Sequence, residues 1–226
     1  MTDLRTIQAH VGVTADGILG PATLKAIGKA LGIGEQVHTM GDPAAFFAAV
    51  RKITGPLNST QVETINGLLA SAAHWPVGWL AYGLATAWHE ARLMPIEEIG
   101  KGKGRPYGIP GKYGQAQYGR GLVQLTWDTN YEWADKAVAE AGLLPRGAIL
   151  ADFSLVMRPD IAAFILVKGM EDGAFTGKSL GDYVGQRGTV AEFTDARRII
   201  NGTDRAAMIA GYAVQFQDAA VSGGWA

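Results

Sequence analysis

Apolar positions along this chain recur mostly three and four residues apart, the spacing that lines one face of a helix. Leu4, Ile7 and Val11, with Gln8 among them, mark a short first helix, and Asp16-Gly17 breaks the chain after it. A second helix is expected from Pro21, well placed at a first helical position, with Leu24, Ile27 and Leu31 ahead of Gly32. Beyond the polar stretch Gly34 to Asp42, a longer helical region opens at Pro43 with Phe46, Phe47, Val50 and Ile53. Leu57-Asn58-Ser59-Thr60 offers an N-cap to a helix carrying Val62, Ile65, Leu68 and Leu69. The next candidate, residues 78 to 92, is crowded with Trp79, Leu80, Leu84 and Trp88 and has Glu90 at its C-terminal end. Helices are expected again near Thr129, from about Pro159 to Met170, and from Asp204 to Ala220, with Asn201-Gly202 ending the one before.

Between these patterns, residues 100 to 121 change character. Gly100, Gly102, Gly104, Gly108, Gly111, Gly114, Gly119 and Gly121 alternate with Lys, Arg and three tyrosines, which disfavours a regular helix and predicts an extended loop with one or two short strands. The expected fold is mainly α: a helical domain over residues 43–226 with a small β/loop region, a linker at 35–42, and a helical hairpin at 1–34.

Composition narrows what such a fold can do. A chain of 226 residues, 48% hydrophobic and 18% charged, can bury one full domain and a small appendage, so a single active site is expected. The formal charge of −1 speaks against capture of nucleic acid, which needs concentrated basic residues. The lack of cysteine excludes disulfides, thiolate nucleophiles and cysteine-bound zinc. No basic segment followed by an apolar stretch opens the chain, and no run approaches the ~20 apolar residues of a membrane helix. The expectation is a soluble monomer made in the cytoplasm without stable membrane insertion. His89-Glu90 does not extend to a zinc helix, because Leu93 stands where the second histidine would be. The histidines are scattered, Gly100 to Gly104 lacks phosphate-loop spacing, and no serine-nucleophile signature occurs, so neither metal nor cofactor is expected.

Glu90 is the residue that invites chemistry. A carboxyl at the mouth of an apolar helix end, beside a glycine-rich loop, suits a general acid, since burial would keep it protonated near neutrality. Taken alone, it reads more readily as a helix-terminal glutamate on a solvated face, and the residues around it are what turn the reading toward chemistry.

Two sets of residues resemble known families. Ile7-Gln8 followed by Gly12 through Leu24, with its D-G-x-x-G-P-x-T string, resembles about half of the repeat of a peptidoglycan-binding domain; a plain helical hairpin is the alternative. Trp88-His89-Glu90, Met94 to Glu98, Tyr118 to Trp127, Thr129-Asn130-Tyr131 and Arg198 to Gly202 stand in the order seen in glycoside hydrolase family 19. Arg158 to Ala163, Gly169-Met170, Phe175 to Lys178 and Asp182-Tyr183 resemble the phage endolysin branch of that family, and plant chitinases more distantly.

The resemblance implies a lysozyme-like fold and an inverting mechanism with two carboxyls ~6.5 to 9.5 Å apart. It implies Glu90 as the acid and Glu98 as the base, with Glu97 the fallback; one of the two glutamates would pair with Lys101, Lys103 or Arg105. Thr126 would help hold the attacking water, and Asn130 and Asn201 would bind the sugar or its acetamide, although Asn201-Gly202 also fits a helix cap. Tyr118, Arg120 and Gln124 are expected to shape the cleft, with Arg120 alternatively orienting a glutamate. Residues 91–120 carry six Lys or Arg against two Glu, a local +4 that suits anionic peptidoglycan better than neutral chitin. The implied function is an endolysin cutting β-1,4 bonds of peptidoglycan, reaching the wall only after release through a holin. A chitinase, a lytic transglycosylase and a non-catalytic wall-binding protein are the alternatives.

Overall fold

The computed structural model describes residues 3–18, 23, 26, 27, 30, 31 and 37–225. Contacts divide the chain into two compact units, Met1–Val37 and His38–Ala226.

In the first unit, helix α1 spans Leu4–His10 and is capped by Asp3, whose carboxylate accepts from the Thr6 amide. Gln8 is buried. Its Nε2 donates to Asp16 Oδ1, the Ile18 carbonyl and Thr23 Oγ1, and its Oε1 accepts from the Gly17 amide. The helix expected from Pro21 falls largely outside the described residues.

The second unit is mainly helical with one two-stranded sheet. Its long helices follow the apolar periodicity closely. Helix α2 (Pro43–Thr54) has Pro43 at its first position and Asp42 as N-cap. Helix α3 (Ser59–Ser71) starts on a capping box in which Asn58 and Gln61 satisfy each other's backbone amides, which contributes about 1 kcal/mol. Helix α4 (Val77–Ala91) buries every residue from Leu80 to Ala87, and a helix buried all round must sit inside the core. Its small residues admit close neighbours: a Cβ at Gly78 would stand 2.7 Å from the Gly188 amide nitrogen, and one at Gly83 would stand 3.1 Å from the Trp75 ring.

After the loop come α5 (Asp128–Glu140), the single turn α6 (Ala148–Ala151), α7 (Pro159–Asp172), the short α8 (Val190–Asp195) and α9 (Ala206–Ser222). Helix α9 lies along α4, and α3 lies along α7. One core gathers around α4 and α9; a second, smaller one holds Leu125, Tyr131, Val138, Phe153 and Ile165, and Val123 and Phe175 touch both.

Part of the stretch expected as a linker at 35–42 packs on the end of the helical unit. His38 stacks on Trp225 at 5.7 Å, Met40 bridges to Trp225, and the Asp42 amide bonds the Gly223 carbonyl, so these residues belong to the helical unit. Trp225 in turn donates its indole N–H to the Trp75 carbonyl. Among the described residues, no helix is long and apolar enough to cross a membrane.

Candidate active site

Helix α4 ends abruptly beside Glu90. Arg92 and Leu93 both take left-handed backbone angles, with φ of 52° and 58°, and Leu93 is fully buried. This tight reversal, made without glycine, exposes the last turn of α4 and its Glu90 side chain, which is 22% accessible. Glu90 Oε1 accepts a 2.6 Å bond from Arg197 Nη1. Arg197 is almost fully buried on the 3-10 turn Ala196–Ile199, and its Nε donates to the Asp204 carbonyl. Burial holds the neighbouring His89 imidazole below its usual value; Glu90 pulls it up, while Arg197, Arg205 and Arg92 push it further down.

Arg197 lies one residue ahead of the Arg198 motif and was not among the expected site residues. Its signal is present in the spacing: Phe193, Ala196, Arg197 and Ile200 share a helical face, and an arginine on an apolar face calls for a buried partner.

The two remaining glutamates are sorted by a strand. Ile96–Glu97 (β1) pairs antiparallel with Arg120–Gly121 (β2), setting Glu97 opposite Arg120. Glu98 follows the strand, with its amide bonded to the Gly119 carbonyl. Glu97 Oε1 accepts from the Tyr118 hydroxyl at 2.5 Å, and its Oε2 lies 2.8 Å from Lys101 Nζ. The Lys101 bond first and the Tyr118 bond second hold the Glu97 carboxyl below the usual range, and the charges of Lys101 and Arg120 act the same way. Glu98 meets only neutral donors: the Tyr107 hydroxyl at 3.1 Å and the Gly119 amide at 3.0 Å. Among the described residues it has no cationic partner within 4.0 Å.

Tyr118 and Arg120, expected to line the cleft, are buried. The Arg120 guanidinium covers the Tyr118 ring at 3.6 Å, and its Nη1 bonds the Ala116 and Tyr118 carbonyls and the Tyr131 hydroxyl. Burial pushes the Tyr131 phenol up to about 12. These three side chains brace the loop behind Glu97, and Arg120 Nε stands 3.7 Å from Glu97 Oε1.

Gln124, Thr126 and Asn130 do come together. They line a cavity of about 130 Å³ with Val123, Leu125, Phe175 and Ile200, placed where the two cores meet. Gln124 Nε2 is committed to the Ile96 and Gly121 carbonyls, and Asn130 Nδ2 to the Thr126 carbonyl. Thr126 Oγ1 makes no hydrogen bond to the described residues and keeps its donor and acceptor capacity. Asn201 is exposed just past Ile200, with its amide bonded to the Arg197 carbonyl and Gly202 at φ 49°, in the position of a helix-ending turn.

Chemically, the region offers one carboxylate held by a buried arginine, a second held by neutral donors, and a small mixed cavity. Among the described residues, no cluster of three or more His, Asp or Glu is placed to hold a metal. Comparison of the chain with family models, with curated proteins and with solved structures gives no match.

Proposed function

We propose that the chain is a glycoside hydrolase that cuts the β-1,4-linked glycan of bacterial peptidoglycan, with Glu90 as proton donor and Glu98 as the base that activates water. The observation that carries this reading is the unequal housing of the carboxyls. Glu97 is held by the Lys101 ammonium and the Tyr118 hydroxyl, Glu98 accepts only from the neutral Tyr107 hydroxyl and Gly119 amide, and Glu90 is fixed in orientation by Arg197. The Thr126 hydroxyl is available to position the attacking water, and the small cavity beside it, polar at Gln124 and Asn130 and apolar at Phe175 and Ile200, suits the carbonyl and methyl of an acetamide.

An anionic glycan is favoured over a neutral one by the loop. Lys103 and Arg105 are exposed, and among the described residues neither has an acidic partner, so both are free to meet lactyl or peptide carboxylates. No cofactor enters this chemistry.

Digestion of purified peptidoglycan by the wild type and by Glu90→Gln, followed by borohydride reduction and mass spectrometry, tests the proposal. New reducing-end N-acetylmuramic acid with the wild type, absent with the variant, is expected. Reducing-end N-acetylglucosamine would move the cut to the other bond, anhydro ends would indicate a transglycosylase, and release of sugars from chitin oligomers alone would indicate a chitinase.

A further inference from the structure

We propose that Trp127, backed by Tyr107, is a stacking surface for one pyranose ring of the glycan strand on the Glu98 side of the site. The inference rests on the glycan-hydrolase reading above and adds a binding residue to it.

Trp127 is 44% exposed, which is uncommon for the largest apolar side chain, and it sits at the N-terminus of α5 with φ 68°, a region that bulky residues rarely adopt. Outliers of this kind persist only where the surroundings enforce them. Here the enforcer is Gln117, itself buried. Its amide donates to the Tyr107 carbonyl, its carbonyl accepts from the Trp127 amide, and its side-chain Oε1 accepts from the Asp128 amide. One residue thus locks the glycine loop to the start of α5 and fixes both aromatic residues.

The Tyr107 ring meets the indole edge-on, with centroids 5.5 Å apart and planes at 79°. The Tyr107 hydroxyl donates to Glu98, so the ring that braces Trp127 also touches the second carboxylate. An aromatic face carries negative charge density and attracts the weakly positive C–H face of a sugar. A pyranose on this indole would lie one residue from Thr126 and one side chain from Glu98.

The test is calorimetric binding of a peptide-free octasaccharide of alternating N-acetylglucosamine and N-acetylmuramic acid to full-length Glu90→Gln, with and without a change at 127. Trp127→Ala is expected to weaken binding by about tenfold or more, and Trp127→Phe to recover most of it. Trp127→Gly relieves the left-handed backbone and should keep or raise the melting temperature while losing the same affinity. Equal affinity in the Ala variant would overturn the stacking role and leave the hydrolase reading intact. A weakened Ala variant that Phe does not rescue, with a lowered melting temperature, would overturn it in favour of a structural role. If Glu90→Gln binds no glycan and the wild type leaves peptidoglycan uncut, both readings fall.

Discussion

Glu97 and Glu98 are adjacent and chemically identical, yet the fold gives one of them cations and the other only neutral donors. The consequence for Glu97 is a pH dependence with a definite sign. Its folded carboxyl titrates below the ordinary glutamate value, so its stabilising effect is present above that ordinary value and is lost as pH falls through the folded one. Glu97→Gln is therefore expected to melt lower than the wild type at pH 7 and to show a flatter decline between pH 5 and 3, read by thermal melts across that range. Glu90 and Arg197 form the more consequential pair. Removing Arg197 strands a partly buried carboxylate, and Arg197→Ala should cost about 3 kcal/mol in urea denaturation, with part of it restored when Glu90→Gln is added. The two glutamates were visible in the sequence only as alternatives, because a two-residue strand has no periodicity to declare which side chain faces the loop. Arg197 was legible in principle from its helical phase, whereas the exposure of Trp127 depends on a backbone angle that no residue type in its neighbourhood announces.

At the scale of elements, helices of three turns or more were readable because an apolar face and a cap reinforce each other, as at Asn58 ahead of α3 and Pro159 at the start of α7. Short pieces were not: α6, α8 and the 3-10 turns hold too few residues for a period to emerge. The glycine loop was correctly expected to be irregular, but its internal contacts were beyond reach. Gly102 and Gly108 pack backbone to backbone, and a Cβ built on Gly108 would stand 1.9 Å from the Gly102 carbonyl oxygen. Gly108→Ala is expected to displace Tyr107 and with it the Glu98 carboxylate. Because a shift of roughly 1 Å at reacting groups can cost about 100-fold in rate, peptidoglycan hydrolysis should fall by that order. The long helices share none of these contacts, so their circular dichroism should be preserved. Equal activity in this variant would show that the loop does not position Glu98.

The whole molecule adds what neither residues nor elements disclose: which helices meet. The apolar character of α4 foretold its burial, but its pairing with α9, far away in sequence, is not declared by any pattern in either helix alone. The mainly helical class was legible, as were most helix positions, and the pairing of Glu90 at the end of α4 with Arg197, 107 residues further along the chain, was not.

The buried Trp225 has a further consequence. Its ring stacks on His38 and its indole is tied to Trp75, so the first and last described residues of the helical unit are neighbours. A body whose two ends meet is a cassette: it can be inserted into a host loop, or have its ends joined and new ones opened elsewhere, without rerouting any helix.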